Sequence, residues 1–149
     1  LIALEAKVTL IGKNNGDFPI EEYINNKILR LESLVTSVKF QNSDWRSAHY
    51  REIRTKSDMP IFNHTVLIKI DMGKIVESRI VVVGTPSKYT RLTAVEDYLN
   101  GRKIDEIKSA EIESLVNLKF AGSRFDDPDY SNVKAGIELG RMIQKMARS

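Results

Sequence analysis

Residues 79–103, RIVVVGTPSKYTRLTAVEDYLNGRK, decide the fold: an apolar run stops at Gly84-Thr85-Pro86, and the chain resumes with the spacing of a helix. Ile80, Val81, Val82 and Val83 follow one another without polar alternation, the pattern of a strand that is central or covered on both faces. Leu92, Val95 and Leu99 then share one helical face, and Asn100-Gly101 ends the helix with a residue that takes a left-handed conformation readily.

Working outward, residues 62–71, FNHTVLIKID, and 74–83, KIVESRIVVV, flank Met72-Gly73 as the arms of a hairpin, with Pro60 marking its approach. Nearer the start, residues 5–11, EAKVTLI, alternate Ala6, Val8 and Leu10 with polar neighbours, the period of a half-buried strand. Asn14-Asn15-Gly16-Asp17 supplies turn chemistry, Pro19 opens a short acidic helical turn, and residues 34–40, LVTSVKF, form a further strand candidate. Downstream, Ile104, Ile107, Ile112, Leu115 and Val116 fit one helix or two, with Ser109 a candidate cap. The last helix has the clearest start: Asp127 as cap, Pro128 at the first helical position and Asp129 at the positive dipole end. Its expected apolar face is Val133, Ile137, Met142, Ile143 and Met146, while Gly136 and Gly140, four apart, allow close backbone packing. Together these elements predict an α+β fold, an antiparallel sheet with helices packed on one face. The polar stretch 41–58, QNSDWRSAHYREIRTKSD, separates a first segment from the rest and puts the boundary near Ser43, giving domains 1–43 and 44–149.

The 149 residues carry 23 basic and 20 acidic side chains, interspersed, for a net charge of +3. Phosphate affinity needs clustered Lys and Arg, so no nucleic-acid partner is expected. The absence of cysteine excludes disulfides, thiolate iron–sulfur ligation and a Cys nucleophile in this chain. No apolar stretch approaches the length of a membrane helix and the first residues lack a basic leader, so no membrane association and a cytoplasmic location are expected. The start at Leu1, within a helix-to-strand passage, suggests a fragment or a processed product.

His49 and His64 belong to no metal-ligand spacing, and His64, in a strand pattern, is expected as a hydrogen-bonded core or edge residue. Nucleophile elbows, phosphate loops and dinucleotide fingerprints are absent, and neither catalytic nor metal-binding residues are predicted. Glu21 and Glu22 read as a solvated turn, and Asp126, Asp127 and Asp129 as cap chemistry. The stretch from Trp45 to Asp58 stands out because Trp45, Arg46, Tyr50, Arg51, Arg54 and Lys56 set cations beside aromatic rings. Such a set suits a planar, electron-rich or anionic ligand, and an exposed connector is the alternative.

The order of these features resembles the FAD-binding medium subunit of the molybdenum hydroxylases, the family of carbon monoxide dehydrogenase and xanthine dehydrogenase. LIALEAKVTLIGKNNGDFPIEEY resembles the family's helix end, strand, glycine turn and following helical turn, and LESLVTSVKF its next strand. SAHYREIRTKSD is similar to the stretch that opens the family's C-terminal domain. Arg91, Ala94, Glu96, Leu99 and Gly101 fall on its R-x-x-A-x-E-x-x-L-x-G-K helix, and DDPDYSNVKAGIELGRMIQKMA resembles its last helix.

The resemblance implies the tail of an FAD-binding domain followed by a carbon monoxide dehydrogenase flavoprotein C-terminal-like domain. It implies an electron-transfer subunit whose FAD takes electrons from an iron–sulfur small subunit, fed by a molybdopterin large subunit, and passes them to an external acceptor. Arg51 falls where the family has a Lys near the isoalloxazine ring, Asp58 on an acidic position and Lys56 on a basic one, with Tyr50 beside them as cofactor-binding candidates. The family's glycine-rich pyrophosphate loops lie upstream of the residues present, so FAD held weakly or not at all, low activity alone and a missing upstream FAD-domain segment as partner are expected. The alternative is a noncatalytic docking module for the other hydroxylase subunits. Convergence of Tyr50 to Asp58 on a cleft would favour cofactor binding, and dispersal over a flat surface would favour docking.

Overall fold

The computed structural model describes residues 1–41, 43–57, 59–121 and 127–148. Two compact units emerge, Leu1–Asp44 and Trp45–Ser149, each with its own apolar core.

In the first unit, β1 (Lys7–Gly12) pairs antiparallel with both β2 (Gly16–Pro19) and β3 (Ser33–Lys39), giving the order β2-β1-β3. Two short helices, α1 (Ile20–Asn25) and α2 (Lys27–Arg30), connect β2 to β3. The alternation read in β1 is real: Ala6, Val8 and Leu10 are buried with Ile20 and Leu29, and Lys7 and Ile11 are exposed. A bulge at Thr9/Leu10 leaves Thr36 without an opposite residue, and its hydroxyl donates to the Thr9 carbonyl.

The second unit is a four-stranded antiparallel sheet in the order β4-β5-β6-β7, built from β4 (Arg46–Glu52), β5 (Phe62–Asp71), β6 (Lys74–Val83) and the two-residue β7 (Thr90–Arg91). The hairpin arms fall where the sequence puts them. Met72 and Gly73 both have positive φ, +45° and +76°, the turn whose twist matches that of the flanking strands. After β7 come α3 (Thr93–Leu99), a 3₁₀ turn at Ile104–Glu106, α4 (Ser109–Leu115) and the long α5 (Pro128–Arg148). The helices bury Val95, Leu99, Ile112, Leu139 and Ile143 with Phe62, Val66, Ile68, Ile80 and Val82 of the sheet. The α+β architecture with helices against one face of an antiparallel sheet is the one the pattern predicts.

The motif helix earns its spacing from the edge of β6. Ile80 pairs with Val66 of β5 on one side, but on the other it has no strand partner, because β7 pairs only with Val81 and Val82. The start of α3 takes over: Leu92 N–H donates to the Ile80 carbonyl at 3.0 Å, and Ile80 N–H donates to Glu96 Oε1 at 2.7 Å. Arg91 Nε donates to both oxygens of the buried Glu96, at 3.0 Å each. Arg91, Leu92 and Glu96 thus close the ladder and neutralise the carboxylate that does so.

Three expectations change. The polar stretch is more than a connector, since Arg46–Glu52 is the edge strand β4. It escapes a hydrophobic reading because one face alone is covered and that face presents only Ala48, Tyr50 and Glu52. The apolar face of α5 is rotated: Val133 is 59% exposed, whereas Ala135, Leu139, Ile143 and Met146 are buried. Small residues set the contact stripe, because a Cβ on Gly140 would lie 3.1 Å from the Ser109 Cβ and one on Gly136 would lie 3.3 Å from the Glu113 Cα. Val83, read as covered, is exposed at the end of β6. Asp127 does cap α5, accepting from Asp129 N–H at 2.9 Å, while Asp126 lies outside the described residues.

Candidate functional site

Strand alternation distributes the candidate residues. Tyr50 stands opposite His64 in the β4–β5 ladder and shares its helix-facing side, whereas Arg51, opposite Asn63, projects from the other face and is exposed. Lys56 is exposed in the turn after β4, and Asp58 lies outside the described residues.

Tyr50 belongs to a buried-to-surface chain of polar contacts. Its hydroxyl donates to Glu52 Oε2 at 2.6 Å, and Lys134 Nζ of α5 donates to Glu52 Oε1 at 2.7 Å. Burial, reinforced by the neighbouring Glu52 carboxylate, holds the Tyr50 phenol well above its usual pKa. The bond to Glu52 likewise raises Lys134. With both carboxylate oxygens engaged, Glu52 fastens the edge strand to α5 and is not poised as a general base. Beside this tie lies a cavity of about 240 Å³ lined by Glu52, Arg54, Phe62, Tyr130 and Lys134, among others.

Behind Tyr50 sits His64, with ring centroids 6.2 Å apart, and Phe62 lies 5.1 Å from His64. His64 is fully buried as a core residue, but the expected hydrogen bond is missing, since neither ring nitrogen has a partner. Desolvation pushes its pKa down to about 4, opposed by the Ala135 backbone, which lies outside hydrogen-bond geometry. The outer face carries a different cluster. Trp45 lies within 4.3 Å of Lys69 Nζ and 4.9 Å of the Arg79 guanidinium, and Glu77 accepts from both cations. Glu77 is held below the usual carboxylate range, first by Lys69.

Sequence reading missed Glu52 and Lys134, which are far apart in the chain. Had residues 46–52 been read as a strand, the i, i+2 spacing would have put Tyr50 and Glu52 on one face. Among the described residues no group of three or more His, Asp or Glu could hold a metal ion, and no helix is long and apolar enough to cross a membrane.

This fold recurs in solved oxidoreductase structures. Quinoline 2-oxidoreductase from Pseudomonas putida 86 superposes with a TM-score of 0.80 over 99% of this chain and 54% of its own, at 13% identity. Carbon monoxide dehydrogenase of Oligotropha carboxidovorans, in its reconstituted form, gives 0.79 over 99% and 55% at 17% identity. The carbon monoxide dehydrogenase of Hydrogenophaga pseudoflava, in a form lacking the Mo-pyranopterin moiety, gives 0.76 over 94% and 52% at 18% identity. The resemblance stated from sequence therefore meets its fold, and the chain spans about half the length of the structures it matches. No protein-family model matches the chain, and no curated protein sequence does.

Proposed function

We propose that this chain is part of the FAD-binding electron-transfer subunit of a molybdenum hydroxylase, comprising the tail of a flavin domain (1–43) and a C-terminal domain (44–149). The observation that carries this reading is near-complete superposition on half of each matched oxidoreductase chain, combined with the motif helix whose Arg91 and Glu96 have a defined structural task. In the assembled enzyme FAD would accept electrons from an iron–sulfur subunit served by a molybdopterin subunit, and the flavin supplies that redox chemistry. This chain's own residues would contribute electrostatics.

The residues present fit a one-sided flavin contact and not an enclosing pocket. Tyr50 faces the helices with its hydroxyl committed to Glu52, while Arg51 lies on the opposite face. A pyrophosphate needs convergent backbone amides, whereas among the described residues of the candidate stretch Arg46–Glu52 is an edge strand, whose successive amides point to opposite sides. Arg51 and Lys56, both exposed cations, would place positive charge beside a ring held by the rest of the subunit. The test is a flavin-fluorescence titration: residues 1–149 alone should bind FAD weakly or not at all, and Arg51→Ala in the complete subunit should shift the flavin reduction potential downward. Unchanged potential would remove Arg51 from the site.

The dispersal of Tyr50, Arg51 and Lys56 favours a second reading, a noncatalytic docking surface for the other hydroxylase subunits. Under that reading Arg51→Ala weakens subunit assembly and leaves the flavin potential unchanged.

A further inference from the structure

The cavity of about 240 Å³ beside the Tyr50–Glu52–Lys134 tie takes no part in the proposed electron transfer. Its floor is apolar, made by the buried Phe62 and by Ile61 before it, and the exposed Tyr130 stands at its rim. Its polar groups differ in what they still offer. Glu52 has both oxygens engaged, by the Tyr50 hydroxyl and by Lys134. Asp127 is turned to its own helix, Oδ1 accepting from the N–H groups of Asp129 and Tyr130 at 2.9 and 3.4 Å. The donors have capacity left. Lys134 Nζ uses on Glu52 only one of the three N–H groups an ammonium carries. Ser131 is more than nine-tenths buried, at 5% exposure, yet its hydroxyl has no hydrogen-bond partner among the described residues. A buried hydroxyl left unpaired is unfavourable, and this residue lines a space that can bring it an acceptor. Arg54 and Lys134 balance the charges of Glu52 and Asp127, so the remaining field is that of the first turn of the 21-residue α5, which favours negative charge.

We propose that this cavity binds a small aromatic carboxylate of one ring, its carboxylate taken by the Ser131 hydroxyl and Lys134 Nζ and its ring set against Phe62, Ile61 and Tyr130. The lining selects this class. Ser131 and Lys134 are donors, so the ligand brings acceptors, and beside a cation and the positive end of α5 the favoured acceptor is anionic. The apolar floor and the Tyr130 ring call for a flat apolar body, which an inorganic anion lacks. Size sets the upper bound. An enclosed apolar cavity of about 150 Å³ takes benzene, so this one has room for a single ring and a carboxylate and not for a fused three-ring system. None of Tyr50, Arg51 and Lys56 lines the cavity, so its ligand is separate from any flavin the subunit holds.

Titration of the isotope-labelled 149-residue chain with benzoate, followed by two-dimensional NMR, tests it. The backbone amides of Phe62, Tyr130, Ser131 and Lys134 should shift together and saturate. Ser131→Ala should weaken benzoate by about 10-fold, the loss of one hydrogen bond to a charged group. The same variant should leave the thermal melt where it is, because the hydroxyl has no internal partner to lose. Benzamide keeps the ring without the charge and inorganic phosphate the charge without the ring, so each should bind at least about 10-fold more weakly than benzoate. Either control binding as tightly as benzoate would overturn the ligand class. The absence of saturable shifts, or shifts scattered over surface lysines and arginines, would overturn the site. A lowered melt for Ser131→Ala would overturn it as well, since the hydroxyl would then already be paired within the fold.

Discussion

His64 is neutral where it sits, a full imidazole inside the core with neither nitrogen bonded. Its folded pKa of about 4 lies below the unfolded value of 6.5, so the unfolded chain takes up a proton that the folded chain resists. This contribution to stability is fully present above pH 6.5 and is lost as pH falls toward 4. At about 1.4 kcal/mol per pKa unit the loss comes to about 3 kcal/mol. Urea unfolding between pH 7.5 and pH 4.5 should show this slope, and His64→Leu should flatten it. A slope equal to wild type would place the titration elsewhere. Glu96 is a buried carboxylate that accepts from Ile80 N–H and from Arg91 Nε. Glu96→Ala leaves the buried Ile80 N–H unpaired and removes the carboxylate that Arg91 binds, and should cost about 2–4 kcal/mol in the same assay, more than Arg91→Ala. Gly84, in the stretch that decides the fold, has φ of +121°, and a Cβ there would lie 2.3 Å from the Ile61 carbonyl oxygen. Gly84→Ala should therefore destabilise by about 2 kcal/mol or more, and a neutral result would contradict the crowding.

Elements were legible where one physical signal dominated. The hairpin arms were, because β-branched runs flank a turn that needs two positive φ values. The start of α5 was, because Asp127 and Pro128 act through local geometry alone. β4 was not: an edge strand presenting Ala48, Tyr50 and Glu52 to the core has too little apolar contrast for period-2 reading. The same gap hid most of the candidate site, since Tyr50 and Glu52 meet Lys134 only through tertiary packing. The packed face of α5 was legible in part: Ile143 and Met146 are buried and Gly136 and Gly140 allow the close packing their spacing indicates, but Val133 faces outward and Ala135 and Leu139 take its place. Gly140→Leu should cost about 2–3 kcal/mol by driving α4 from α5, whereas Val133→Lys on the exposed side should change stability by less than about 0.5 kcal/mol. Thermal melts of the two variants check both.

The two units differ in how complete they are. The second buries a continuous cluster from Phe62 to Met146, so residues 45–149 on their own should unfold in one cooperative transition. The first has five residues in its buried cluster and exposed apolar side chains on β3, so residues 1–44 in isolation should lack a cooperative transition by circular dichroism. That asymmetry fits the proposed reading of the first unit as the tail of a larger domain. The most direct test of this account is the flavin content of two purified preparations, residues 1–149 alone and the same chain with its upstream coding sequence. The account predicts FAD near one equivalent in the longer polypeptide and almost none in the shorter. One equivalent in residues 1–149 alone, or none in either, would contradict it.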